Sequence, residues 1–84
     1  MSHIGIVRNL GTLNGASKTM ASLLGSANYN GAYFFGFYNN PSDNPFSFSA
    51  GYVIALRFGD ISGAYRLIGL NDNATLLETK KLSV

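Results

Sequence analysis

The chain alternates short apolar runs with polar breaks rich in glycine and asparagine, a pattern typical of several short β-strands. Four runs stand out: Ala32–Tyr38 (AYFFGFY), Tyr52–Phe58 (YVIALRF), Ala64–Leu70 (AYRLIGL) and Ala74–Leu82 (ATLLETKKL). The first two are dominated by aromatic and β-branched side chains, which favour extended structure. We predict a strand for each run. The last is predicted at a sheet edge, because its charges increase toward the C-terminus.

The polar breaks predict how these strands are connected. Residues 39–45 (NNPSDNP) carry the strongest loop signal, and proline after Asn40 and Asn44 favours extended geometry at both asparagines. Residues 59–63 predict a hairpin loop that sets Leu56 opposite Arg66.

Two further segments carry weaker signals. Two glycines and an Asn-Gly pair predict a turn over residues 9–15. Phe46 and Phe48 alternate with serines, which predicts a half-buried strand or the start of one.

One stretch has the periodicity of a helix. Within residues 16–24, Met20, Leu23 and Leu24 fall at i, i+3 and i+4, which places them on one face. Ser17 is the candidate N-cap, and Gly25 stands where a glycine ends many helices. A helix this short needs a surface to lie on, because isolated helices under about 12 residues are marginal in water.

The aromatic side chains are concentrated in Tyr29–Phe58, which holds ten of the eleven. Rings occur on both faces of the Ala32–Tyr38 run, and a strand that is apolar on both faces is normally covered on both. We therefore expect the second cover to come from a neighbouring subunit. Six side chains are assigned to the core or to that interface: Phe34, Phe35, Phe37, Ile54, Leu56 and Phe58.

Composition supports a small oligomeric domain. The chain has 84 residues and no cysteine, and its residues are 46% hydrophobic and 12% charged. A domain this short buries only about 60% of its unfolded surface, and disulfides and cysteine-based zinc sites are excluded. Oligomerisation is the remaining means of stabilisation.

These observations predict a mainly β fold: a small antiparallel β-meander or sandwich with one short N-terminal helix, assembled as a homo-oligomer. Residues 1–15 are expected to be an N-terminal segment, and residues 16–84 the β-rich domain. The net charge of +2 is spread along the chain, which argues against a dedicated nucleic-acid site. No apolar run approaches the roughly 20 residues of a membrane span, and no signal peptide is recognised, so we expect a soluble protein.

The titratable residues do not form a catalytic pattern. The single histidine, His3, lies beside the chain start, and Asp43, Asp60 and Asp72 fall in predicted turns. No two carboxylates are spaced as a catalytic pair, and no nucleophile elbow or phosphate-binding glycine motif is present. We therefore expect no enzymatic activity, no cofactor and no metal.

The corner after the Ala32–Tyr38 run is the best candidate for a ligand site. Sugars are bound by flat aromatic rings together with rigid amide and carboxylate groups, and this corner supplies both. The candidate residues are Tyr38, Asn39, Asn40, Asp43, Asn44 and Tyr52. In the alternative interpretation, the tyrosines are core or interface residues and the loop only connects strands.

Two arginines interrupt otherwise apolar runs. Arg57 and Arg66 are candidates to bind an acidic sugar or phosphate. The alternative is a structural role, either on a solvated face or in an ion pair with Asp60 or Glu78.

Four motifs together resemble a known family. They are Gly31-Ala32-Tyr33, Asn44-Pro45, the segment 51–59 (GYVIALRFG) and Ala64-Tyr65-Arg66-Leu67. In this order they are similar to the small knob-like domains of phage tail fibres and tailocin (pyocin-type) fibres. The chain lacks the tryptophan that such knobs often carry in the terminal strand.

The resemblance implies a homotrimer in the tail of a virion or tailocin, an extracellular particle. Its tip loops would bind a bacterial surface glycan or protein during host attachment, and residues 1–15 would be the end of a fibre stalk. Two alternatives stay open: a purely structural trimerisation module of a fibre, and a small inhibitor that binds another protein.

Overall fold

The computed structural model describes residues 7–25, 30–57 and 64–83. Its elements in chain order are β1 Val7–Asn14, α1 Met20–Gly25, β2 Gly31–Tyr38, β3 Gly51–Arg57, β4 Ala64–Asn71 and β5 Leu77–Ser83. The predicted fold class, mainly β with one short helix, is confirmed. The predicted hairpin loop 59–63, Phe58 and His3 lie outside the described residues.

All five strands form one sheet in the order β1-β2-β3-β4-β5. The four strands β2 to β5 make the predicted antiparallel meander, and Leu56 pairs with Arg66 as expected. β5 lies at the sheet edge, as its charge pattern predicted. β1 pairs with β2 in parallel, so the sheet is mixed rather than wholly antiparallel. Parallel neighbours need a crossover connection, and here the crossover contains α1.

The predicted turn over residues 9–15 is wrong, because most of this segment is strand β1. The register of β1 against β2 shifts between Asn9 and Thr12, which marks a β-bulge. Gly11 has a φ of 85°, and its N–H donates to the Asn9 side-chain oxygen at 2.8 Å. The residues that favour a turn therefore form the bulge. The N-terminal segment was expected to end at residue 15, before the β-rich domain. Strand β1 of that segment belongs to the same sheet as β2 to β5.

The helix begins later than its sequence pattern predicted. Residues 15–17 form a turn in which the Ser17 N–H and hydroxyl both donate to the Asn14 carbonyl, at 3.1 and 3.3 Å. The N-cap is Thr19 rather than Ser17, since the Thr19 hydroxyl oxygen accepts the Ser22 N–H at 3.1 Å. α1 has six residues and is the single helix within the described part of the chain, where no helix has the length and apolarity needed to cross a membrane.

The core lies on one face of the sheet, beneath α1 and the connection 39–50. Successive strand residues point to opposite faces, so alternate side chains of β2, β3 and β4 enter this core. Its members are Leu13, Met20, Leu24, Tyr33, Phe35, Phe37, Phe46, Val53, Ala55, Tyr65, Leu67 and Leu82.

The other face of the sheet, here called the open face, is not covered by any described element. Phe34, Ile54 and Leu56 lie there, whereas Phe35 and Phe37 lie in the core. The six residues assigned from sequence to the core or an interface are therefore divided between two faces. On β3 the smaller side chains, Val53 and Ala55, point into the core.

The connection 39–50 contains no strand, so the predicted strand at Phe46–Phe48 is wrong. The two rings instead stack on each other, with centroids 5.0 Å apart, and both lie against Phe37. Gly69 leaves room for this stack, because a Cβ there would stand 2.5 Å from the Phe46 ring. Asn40 has a φ of 40°, in the left-handed region, and not the extended geometry expected before proline.

The buried Tyr65 ties the end of α1 to the sheet. Its hydroxyl donates to the Leu24 carbonyl at 2.9 Å and accepts a hydrogen bond from the Arg57 guanidinium at 3.3 Å. Its ring packs edge-on against Tyr33, with centroids 6.3 Å apart. One side chain thereby satisfies a helix-terminal carbonyl and fills the core.

Replacing Tyr65 with phenylalanine should destabilise the protein. The change leaves the Leu24 carbonyl without this donor, and an unsatisfied buried polar group costs about 1–3 kcal/mol. We expect the free energy of unfolding, measured by urea titration, to fall by that amount. Tyr52→Phe, at a ring that is 50% exposed, is the control and should change it by less than about 0.5 kcal/mol. Equal effects of the two variants would contradict the role given to the Tyr65 hydroxyl.

Candidate functional site

Two of the predicted ligand residues, Tyr38 and Tyr52, lie close together at one end of the open face. Tyr38 is the last residue of β2, and Tyr52 pairs with Gly36 two residues earlier on that strand. Their side chains are 43% and 50% exposed, so both rings present surface to solvent.

Both tyrosines line a cleft of about 340 Å³, near the lower end of the roughly 300–1,000 Å³ typical of small-molecule pockets. The other lining residues are Thr12, Gly36, Phe37, Ala50, Gly51 and Asp72. Gly36 brings no side chain into this space. The cleft is therefore lined by residues that carry aromatic rings, a hydroxyl and a carboxylate, the groups expected of a sugar site.

The turn that carries Asp72 is attached to the β3 side of the cleft. The Asp72 N–H donates to the Ala50 carbonyl at 3.2 Å. Gly51 permits this close approach, because a Cβ there would collide with the Leu70 carbonyl oxygen. The Asn71 side-chain oxygen accepts N–H bonds from Thr75 and Leu76, which extends the turn and starts β5 at Leu77, later than predicted.

Asp43, another predicted ligand residue, does not line the cleft. Its two carboxylate oxygens accept the Met20 and Ala21 N–H groups, each at 2.8 Å. These are first-turn N–H groups of α1, which have no partner within the helix. Asp43 therefore joins the connection 39–50 to α1. Its predicted ligand role stays a prediction.

The three predicted asparagines also make hydrogen bonds within the protein. The Asn44 amide donates to the Phe48 carbonyl and to the Asn40 side-chain oxygen, and its own oxygen accepts the Phe46 N–H at 3.0 Å. The Asn39 amide donates to the Asn14 side-chain oxygen at 3.0 Å. Asn39 and Asn40 are exposed, with φ values of 58° and 40°, a conformation that asparagine tolerates well. These contacts shape the connection next to Tyr38.

Six residues of the cleft were not among the predicted site residues: Thr12, Gly36, Phe37, Ala50, Gly51 and Asp72. The sequence marks Gly36 as a glycine within a strand and Asp72 as a turn residue, but neither feature indicates that the two share a site. Thr12 has no distinguishing feature in the sequence, because its strand was predicted to be a turn. The cleft forms only when β1 pairs with β2 and the turn after β4 reaches Ala50.

The two candidate arginines have different environments. The Arg57 guanidinium carbon lies 5.7 Å from the Tyr65 ring centroid, and the group donates to the Tyr65 hydroxyl, which supports a structural role. Arg66 is exposed and pairs across the sheet with Lys81. Arg66 and Lys81 border a shallow groove of about 480 Å³.

Glu78 on β5 binds the connection 39–50. Its carboxylate accepts the Ser47 N–H at 2.9 Å and a short hydrogen bond from the Ser47 hydroxyl. These two bonds hold the pKa of Glu78 below its ordinary value of 4.5, because they stabilise the ionised carboxylate. The connection is thus attached to α1 through Asp43 and to β5 through Glu78.

Within residues 7–25, 30–57 and 64–83, no three His, Cys, Asp or Glu side chains are arranged to hold a metal ion. Comparison of the chain with protein-family models, with curated proteins and with solved structures found no match.

Removing the Asp43 carboxylate should weaken the attachment of the connection to α1. Asp43→Ala deprives two N–H groups of their acceptor, and loss of a helix cap costs about 0.5–2 kcal/mol. We expect the free energy of unfolding in urea to fall by that amount. The neighbouring exposed residue provides a control, Ser42→Ala, with an expected change under about 0.5 kcal/mol. An unchanged stability of Asp43→Ala would show that these bonds contribute nothing.

The contribution of Glu78 should depend on pH. Because folding lowers the pKa of this carboxylate, its contribution is fully present above the unfolded pKa of about 4.5 and is lost as the pH falls through the folded value. Glu78→Gln should therefore be less stable than wild type at pH 7, and the difference should shrink below pH 4.5. Urea titrations of both proteins between pH 7 and pH 3 measure this difference. A difference that is constant with pH would contradict the assignment.

Proposed function

We propose that this protein is an adhesion domain, the homotrimeric tip of a bacteriophage or tailocin tail fibre that binds a bacterial surface glycan. The domain acts by binding and not by catalysis. The observation that carries the proposal is the cleft, which two exposed tyrosines line together with Thr12 and Asp72.

The chemistry of this cleft suits a neutral sugar. The ring faces of Tyr38 and Tyr52 offer flat apolar surface for the C–H face of a pyranose. The Asp72 carboxylate accepts hydrogen bonds from sugar hydroxyls, and the Thr12 hydroxyl both donates and accepts. The lining residues come from paired strands and from a turn bonded to Ala50, so little ordering is needed on binding.

The position of the cleft also suits a fibre tip. It lies where β2 ends and β3 begins, whereas β1 enters the sheet at the other end, with Val7 beside Ala32. A stalk that leads into β1 at Val7 would approach from the end opposite the cleft. The binding surface would then face away from the particle.

The second candidate is a fibre module that assembles without binding a receptor. The open face supports it, because an uncovered apolar sheet face is suited to subunit contact. Both candidates require an oligomer. A monomer in static light scattering would contradict the two fibre proposals together.

Binding to whole bacterial cells and to an array of bacterial glycans tests the adhesion proposal. Tyr38→Ala and Asp72→Asn should each weaken binding about tenfold or more, which corresponds to about 1.4 kcal/mol. Leu76→Ala is the matched control, because Leu76 is 42% exposed, against 43% for Tyr38, and lies outside the cleft. Its binding should equal that of wild type.

Two results would overturn the assignment. Unchanged binding of Tyr38→Ala and Asp72→Asn would remove the cleft from the proposal. An assembled wild-type protein that binds no bacterial cell and no glycan would favour the structural module.

A further inference from the structure

We infer that the open face is the surface through which copies of this chain pack on one another. The parallel arrangement of the subunits rests on the proposed fibre tip. The residues that make the contact are those of the open face. It does not depend on glycan binding.

The centre of the open face is a continuous apolar surface. The strand register places Phe34, Ile54 and Ile68 in one cross-strand row. The next row runs from Tyr52 to Leu70 and on to Leu77. The seven central residues are Phe34, Tyr52, Ile54, Leu56, Ile68, Leu70 and Leu77.

These side chains are more exposed than the core residues of the same strands. Tyr52, Ile54 and Leu77 are 50%, 38% and 63% exposed, whereas Val53 on β3 is fully buried. Phe34 and Tyr52 stack with their planes 7° apart, and a recess of about 200 Å³ lies among the central residues. Large apolar side chains and a recess on one exposed face are typical of a surface that receives a partner's side chains.

Among the described residues, charge on this face is confined to its ends. Arg66 and Lys81 stand opposite each other at the end where β1 begins, and Asp72 lies at the cleft end. None of the seven central residues is charged. A central apolar area bordered by charged groups is the usual anatomy of a protein interface. Two cations opposite each other repel, so they are favoured where solvent reaches them, at the rim.

The face is large enough for a specific contact. Five strands spaced about 4.8 Å apart, each about seven residues long at about 3.3 Å per residue, give a flat area of about 550 Å². Side-chain relief increases the accessible area. Small specific interfaces bury about 600 Å² per partner, so contact over the whole of this face is close to that size.

The occupant best matched to this face is a second copy of the chain. An 84-residue domain with one covered sheet face is marginal alone, and it gains most from a partner present whenever it folds. The seven central side chains bring a single polar group, the Tyr52 hydroxyl, so the face is poorly suited to a polar ligand. When several copies are arranged around an axis parallel to the strands, their open faces meet at the axis. The cleft of each copy, at the Tyr38 end, then lies at the tip of the assembly.

Substitution at the centre of the face tests the inference. Ile54→Asp places a carboxylate in the contact and should weaken self-association at least about 100-fold, a change of about 2.7 kcal/mol. Light scattering should then give the mass of one 9.0 kDa chain, while wild type gives a multiple of it. Leu76→Asp is the matched control, because Leu76 is an exposed leucine that does not line the recess, and it should stay assembled. Circular dichroism checks that both variants keep the sheet.

A second measurement covers the case in which Ile54→Asp does not fold. The chain has no cysteine, so Ile54→Cys introduces a single thiol at the centre of the contact. On mild oxidation it should form disulfide-linked dimers, and Leu76→Cys at the same concentration should not. Equal cross-linking of the two variants, a monomeric wild type, or full assembly of folded Ile54→Asp would each overturn the inference.

The two proposals fail separately. If Ile54→Asp dissociates while Tyr38→Ala retains cell binding, the interface stands and the glycan cleft does not. If Tyr38→Ala loses binding while Ile54→Asp stays assembled, the cleft stands and the copies meet elsewhere.

Discussion

The structure depends on one constraint: a single sheet that is apolar on both faces, of which the described chain covers only one. The covered face buries the rings of β2 with Val53 and Ala55 of β3 beneath α1 and the connection 39–50. The open face leaves large apolar side chains exposed to solvent, including Tyr52 and Ile54. Because hydrophobic burial is the dominant favourable term in folding, the proposed contact between copies would stabilise the protein by covering this face.

α1 and the connection 39–50, which cover the core, are held in place by a few polar contacts and not by extensive secondary structure. Asp43 binds the start of α1, Tyr65 binds its last turn at Leu24, and Glu78 binds the connection at Ser47. A six-residue helix and a strandless connection have little stability of their own, so these contacts and the Phe46–Phe48 stack position them. The same connection follows Tyr38, so the attachments that complete the core also support one side of the cleft.

The proposed cleft and the proposed interface occupy neighbouring parts of the open face and share Tyr52. Its ring stacks on Phe34 toward the centre of the face and borders the cleft on the other side. Assembly around an axis along the strands would order this ring and keep Tyr38 and Asp72 at the end of the particle. Adhesion and assembly are then properties of one surface, divided between its end and its centre.

The sequence by itself determined the strands β2 to β5, the short helix and the position of the main connection, because period-two alternation and turn residues act locally. It also placed Tyr38 and Tyr52 among the candidate site residues, on residue type and nearness to the loop. Tertiary structure decided which face of each strand is buried: Val53 and Ile54 are both apolar, and only the location of α1 and the Phe46 ring selects Val53. It also decided that residues 7–14 are a bulged parallel strand and that Thr12 and Asp72 join the cleft, since pairing between distant segments leaves no local mark in the chain.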